Sequence, residues 1–186
     1  VVEPSASMVE VHHQGAQEAG IRNITVAQAT WEEADVAPAN LVLCAHVLYG
    51  VEDVEPFVRK LHSHATDRVL ILMYMDSPQA HLAPLWKPVH GEDRGNLPGL
   101  RELLPVLWEM DIYPNLEMLE THGSYEYDTW EDARQEFQRR LYVNPDTDAD
   151  KRLGQAMRDL LQPSPDGFLL RGAPPRRLGL LSWQPG

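Results

Sequence analysis

Residues 40–75 read NLVLCAHVLYGVEDVEPFVRKLHSHATDRVLILMYM. Two apolar runs bracket a helical segment. Leu41 to Ala45, entered from Asn40, is continuously apolar, as expected of a strand covered on both faces, and Val69 to Met75 reads the same way. Between them Asp53 stands where a helix cap belongs, and the helix runs to about Ala65. Pro56 falls within its first turn, where the amide proton has no intrahelical partner.

Toward the start of the chain, Val1-Val2 reads as a strand ended by Glu3-Pro4. A helix follows, with Ser7 and Glu10 at capping-box spacing and Gly20 as its stop. Met8, Val11 or His12, Ala16 and Ala19 supply its apolar face. Ile24 to Ala27 is a short strand, β-branched at three of four positions. Strand, helix, strand, strand, helix, strand is the order of a parallel, doubly wound α/β sheet. Downstream the pattern changes. Residues 77–98 read as a long connection rich in prolines and glycines. A helix from about Gly99 to Met110, a strand from Leu116 to Thr121, and helices from Asp128 to Tyr142 and from Asp146 to Leu161 follow. Gly167–Leu170 and Leu178–Trp183 read as a hairpin joined by Pro174-Pro175.

The 186 residues, 43% of them hydrophobic, suffice for one core, or one core with a small appended subdomain. With 16 basic and 28 acidic residues the formal charge is −12, which disfavours nonspecific attraction to a phosphate backbone. Arg139-Arg140 and Arg176-Arg177 read as solvated surface. Cys44 is the only cysteine, so no intramolecular disulfide forms, which fits a reducing cytoplasm. No apolar run approaches the ~20 residues needed to span a bilayer. Neither a nucleic-acid nor a membrane partner is expected. Val1 is neither an initiator methionine nor part of a signal peptide, and the chain is expected to be a piece of a longer protein.

Four segments carry a resemblance. They are Glu3-Pro4-Ser5 with Met8; Gly20 to Val26 leading into Ala29-Thr30-Trp31-Glu32-Glu33; Ala39 to Tyr49; and Asp53 to Met73, with its Phe57-Val58-Arg59-Lys60-Leu61. In this order they resemble class I S-adenosylmethionine-dependent methyltransferases, of the small type typical of bacterial genomes. The resemblance covers residues 1–76 well and the remainder in outline. It implies a Rossmann-like sheet, mostly parallel, with an antiparallel C-terminal strand pair. Residues 1–76 would be a partial cofactor-binding core, 77–166 a helical, substrate-covering region, and 167–186 the strand pair that completes the sheet.

The resemblance also implies methyl transfer to a small-molecule acceptor, with S-adenosylmethionine as cofactor. An anion at the end of a strand can accept both ribose hydroxyls at once, and Glu3 takes that role. Thr30 stands where many relatives place an aspartate for the adenine amino group, and its hydroxyl is a weaker, neutral acceptor. Trp31 lies either over the purine or against the sheet edge. Ala45 and His46 follow the family's fourth strand, where ligands gather. His46 either orients the acceptor or takes its proton, since an unperturbed histidine titrates near neutrality. Tyr49, Trp86 and Tyr125 are the candidate substrate residues. Cys44 is expected to be a buried small hydrophobe. None of His12-His13, His62 with His64, or His81 with His90 has the i, i+4 spacing of a helix-borne metal pair, so no metal is expected.

One departure stands out. The family's first strand ends in a glycine-rich turn, and nothing here replaces it: Gly91 and Gly95 are separated by Glu92, Asp93 and Arg94. That strand is central in the family's sheet, and without it both neighbours present unpaired backbone groups. Each such group, if buried, costs on the order of 1–3 kcal/mol. The expectation is a missing segment supplied separately, a rearranged sheet, or homo-oligomers formed through exposed edges, and weak cofactor binding. Two other readings remain open at this point: a non-catalytic methyltransferase-like interaction module, and a nicotinamide-dependent oxidoreductase.

Overall fold

The computed structural model describes residues 1–120 and 125–186. Its elements, in order, are α1 (Ala6–Glu18), β1 (Ala39–Ala45), α2 (Val54–His64), β2 (Ala65–Tyr74), α3 (Ala83–His90), α4 (Leu100–Glu109) and β3 (Asn115–Leu119). They continue with β4 (Glu126–Tyr127), α5 (Trp130–Arg140), α6 (Asp148–Leu160), β5 (Leu161–Ser164), β6 (Gly167–Leu170) and β7 (Leu178–Trp183). One sheet has the order β1-β2-β7-β3 and a second the order β4-β6-β5. The fold is mixed α/β, with a mostly parallel sheet plus antiparallel strands. The chain divides into two compact units: Val1–Leu43 with Glu52–Leu70 and Ser182–Gly186, and Cys44–Val51 with Ile71–Leu181.

In the first unit, α1 is capped by Ser5 rather than Ser7. The Ser5 hydroxyl accepts the Met8 amide at 3.4 Å, which moves the start of the helix back by two positions. Gly20, at φ 67°, supplies the left-handed residue just beyond its end. The face expected to be buried is not: α1 buries no residue, and Met8 and Val11 are exposed. The expected strand over Ile24–Ala27 contracts to one parallel bridge between Val2 and Ala27, held by Ala27 N–H to Val1 O at 2.8 Å and Glu3 N–H to Ala27 O at 3.1 Å. Helix α2 follows Asp53 as expected and buries Phe57, Val58 and Leu61.

β1 departs from its sequence reading in burial. Leu41 and Leu43 are 49% and 57% exposed, so the strand alternates between a covered face and an open one. The reason lies in its place. β1 ends its sheet, and α1, whose apolar residues would be needed for cover, buries nothing.

The second unit holds the larger core. Leu82, Leu85 and Val89 pack with Phe137 and Leu141 of the α5 region and with Leu153 and Met157 of α6. The connection expected over residues 77–98 therefore contains a 3-10 turn, Ala80–Leu82, and α3. Its prolines conceal this helix from a sequence reading. Pro84 lies in the first turn, where proline is harmless, and Leu82, Leu85 and Val89 sit at helical spacing. The carboxylate of Asp150 is buried in the same unit. It accepts Gln138 Nε2 and Arg134 at 2.8 Å each and the Asp146 amide at 3.2 Å, and these bonds, led by that of Gln138, hold it below the ordinary aspartate range.

The closing hairpin is also rearranged. Gly167–Leu170 pairs antiparallel with β5 and β4, whereas Leu178–Trp183 lies in the other sheet. The turn signal is Ser164-Pro165-Asp166-Gly167, a proline-aspartate-glycine turn that joins β5 to β6. The expected strand over Leu116–Thr121 is realised as β3, and Thr121 lies outside the described residues.

Two glycines are fixed by close backbone approach. A Cβ on Gly99, at the start of α4, would lie 2.4 Å from Met75 O, and one on Gly167, at φ 140°, 2.2 Å from Tyr127 O. We expect Gly99→Ala and Gly167→Ala each to destabilise the chain by about 1–3 kcal/mol. Gly95→Ala, which meets nothing within 4 Å, should leave the denaturant midpoint unchanged. Equal midpoints for all three would contradict this packing.

Candidate functional site

Of the residues that the sequence nominates, Glu3, Thr30 and Trp31 belong to the first unit. Glu3 ends the bridged segment at Val2, half-buried, and its Oε1 accepts the Ser5 amide at 2.8 Å. Among the described residues its second oxygen has no partner, so it keeps capacity for further donors. Thr30 is engaged locally. Its hydroxyl donates to Glu33 Oε2 at 3.1 Å and accepts the Glu33 amide at 3.3 Å. Trp31 is held from three sides: its indole N–H donates to Phe57 O at 3.2 Å, its ring meets His64 edge-on at 5.3 Å, and Lys60 Nζ lies 5.1 Å above it.

Ala45, His46, Tyr49, Trp86 and Tyr125 belong to the second unit. Ala45 is the last, exposed residue of β1. His46 follows it at φ 59°, a left-handed conformation that is uncommon for a residue with a Cβ. Its amide donates to Leu72 O at 2.9 Å, which fixes the turn against β2. Tyr49 is buried, and its hydroxyl accepts the Tyr74 amide at 2.7 Å while lying 3.0 Å from His46 Nδ1. The His46 ring also stacks on Tyr74 at 5.0 Å.

This contact allows two arrangements of one proton. With Tyr49 donating to Nδ1, the His46 Nε2 carries the hydrogen and is a donor. With Nδ1 donating, Nε2 presents a lone pair, the form required of a base. Burial, and then the nearby Arg176 guanidinium, lower the His46 pKa from its ordinary value. Both favour the neutral ring at physiological pH.

The group extends through residues that the sequence reading missed. Arg176 Nε donates to the Tyr74 hydroxyl at 2.8 Å, and the guanidinium lies 4.9 Å over the Tyr74 ring and 5.3 Å over that of Tyr125. Tyr125 stacks on His81, with ring centroids 3.7 Å apart, and its hydroxyl donates to Pro78 O at 3.2 Å. Beyond this stack opens a cavity of about 330 Å³. His81, Tyr125 and Tyr127 form its aromatic wall; Asp132, Glu136 and Arg140, one face of α5, form another side. Glu126 and Asp128 complete the lining. Tyr49 and Tyr125 are thus brought together with Tyr74 and Arg176. Trp86 is placed otherwise: it packs against His90 at 4.3 Å, beneath Arg94 and against the helical core.

No local signal in the sequence points to Arg176, which meets Tyr74 across 102 residues of chain. For the cavity a signal did exist: Asp132, Glu136 and Arg140 recur at every fourth position of α5. Cys44 is buried as expected, and burial pushes its thiol up to about 12, which leaves it protonated and unreactive.

No protein-family model matches the chain, and no curated protein matches it. Solved structures do. A candidate methyltransferase from Bacillus halodurans superposes with a TM-score of 0.63 at 10% identity, covering 99% of this chain and 81% of that one. The fold is Rossmann-like. The YcgJ protein of Bacillus subtilis superposes with a TM-score of 0.56 at 16% identity, covering 98% of this chain and 80% of that one. A candidate sarcosine dimethylglycine methyltransferase from Galdieria sulphuraria gives 0.52 at 12% identity, covering all of this chain and 68% of that one. Among the described residues no helix is long and apolar enough to cross a membrane.

The surroundings of His46 give a direct expectation. In a proton NMR titration its midpoint should fall below about 6.5, and Arg176→Gln should raise it part of the way, because burial persists. A midpoint that stays fixed, or falls further, in the variant would contradict the geometry.

Proposed function

We propose that this chain serves methyl transfer from S-adenosylmethionine to a small-molecule oxygen, nitrogen or carbon acceptor. The observation that carries the reading is the superposition of nearly the whole chain on a candidate methyltransferase at a TM-score of 0.63. When bound, the cofactor supplies a methyl group activated by its sulfonium.

The residues fit that cofactor in part. Glu3 is a carboxylate at the end of a parallel-bridged segment, with one oxygen uncommitted among the described residues, which suits a pair of ribose hydroxyls. The Thr30 hydroxyl and the Trp31 indole N–H already bond within the protein. Within the second unit, His46 offers Nε2 to a nucleophile, or takes its proton in the tautomer whose Nδ1 donates to Tyr49. Tyr49 and Tyr125 line the approach, and the protein's main contribution is in-line positioning.

The engagement of Thr30 and Trp31 also favours a second reading, a methyltransferase-like module that no longer uses the cofactor. Calorimetry with S-adenosylhomocysteine separates the two. We expect binding by the chain and a loss of about tenfold or more in Glu3→Ala, as for other hydrogen bonds to a charged group. Equal binding by chain and variant, or none by the chain, favours the module.

A further inference from the structure

We propose that the cavity between the His81–Tyr125 stack and α5 binds a cationic amine, with His81 Nε2 accepting one of its N–H protons. The inference deepens the methyl-transfer reading, on which it rests for calling this ligand the acceptor, but its physical basis is separate.

His81 carries the argument. It is only 3% exposed, yet it lines the cavity. Its Nδ1 lies 2.7 Å from Pro78 O, and a carbonyl oxygen can only accept, so Nδ1 must hold the hydrogen. Burial lowers the pKa of the ring to about 4, so it is neutral near pH 7 and Nε2 carries a lone pair. Among the described residues nothing donates to that lone pair. A donor entering the cavity that His81 lines would satisfy it. The Tyr125 ring, parallel to the imidazole at an interplanar angle of 11°, holds this orientation.

The charge of the lining selects the kind of donor. Four carboxylates, on Glu126, Asp128, Asp132 and Glu136, face one guanidinium, that of Arg140. Arg140 is already paired with Glu136, so it offers little to an anion. Asp132 accepts the Thr129 hydroxyl at 2.5 Å. Tyr127 adds an aromatic wall, whose phenol stays protonated because burial, then Glu136, raises its pKa. A ring face with surrounding carboxylates is a setting that stabilises an ammonium ion. A metal ion is a poorer occupant, because no group of three or more metal-ligating side chains occurs among the described residues.

Phenethylamine and its neutral counterpart 2-phenylethanol test this on the full chain, by calorimetry without any methyl donor. We expect the amine to bind about tenfold more tightly than the alcohol, and the ¹⁵N resonance of His81 Nε2 to shift on titration with the amine. Asp128→Asn, at an exposed position that leaves the core intact, should weaken amine binding about threefold. His81→Ala, which removes the acceptor and leaves the carboxylates, should weaken the binding of both probes. Equal affinities for the two probes, no binding of either, or an unmoved His81 resonance would overturn the inference. Amine binding by a chain that does not bind S-adenosylhomocysteine would uphold this site and sink the methyl-transfer reading.

Discussion

The Tyr49 hydroxyl accepts the amide of Tyr74 at 2.7 Å, and the arrangement of the second unit's aromatic group follows from that bond. Tyr74 ends β2, where the ladder stops and a backbone donor needs a partner. A buried side chain supplies one. In doing so it places a phenol against His46, which a left-handed backbone turn has already directed there. Tyr74, held at its amide, then presents its ring to His46 and its hydroxyl to Arg176. Arg176 in turn reaches Tyr125, whose partner His81 forms the wall of the cavity. Each contact sets the orientation of the next side chain, and only short, directional interactions are involved.

Much of this was legible in the sequence, and for a physical reason. Strands β1 and β2 and helix α2 are specified by local patterns: continuous apolar runs, and a helix whose apolar residues fall on one face. His46 and Tyr49 could be nominated because they follow such a strand directly. Arg176, by contrast, meets Tyr74 only through the fold, and no periodicity or motif predicts that meeting. The helix α3 was hidden because two prolines outweighed a clear spacing of Leu82, Leu85 and Val89. The hairpin lies at β5–β6 rather than at β6–β7 because Pro165-Asp166-Gly167 forms the tight turn and Pro174-Pro175 does not.

Burial was read less well than secondary structure. An uninterrupted apolar run predicts cover on both faces, yet Leu41 and Leu43 lie open. Hydrophobicity states what a residue prefers; cover depends on whether another element reaches it. α1, which has a side-chain cap at Ser5 and a stop at Gly20, buries none of its residues, so local helix signals are satisfied without a packing partner. Thr30 and Trp31 teach a related lesson. Both stand where a ligand contact was expected, and both spend their polar groups on neighbours within the chain.

The claim that unites these features is that the His46 to His81 group is the acceptor side of a methyl-transfer site. Incubation with S-adenosylmethionine carrying a ¹³C-labelled methyl group, in the presence of phenethylamine, tests it most directly by mass spectrometry. The expected result is a labelled N-methyl product, formed after the ammonium nitrogen gives a proton to His46 and with S-adenosylhomocysteine as the leaving group, that disappears in His46→Ala. Saturation of the protein by both compounds, with no label leaving the donor, would contradict it.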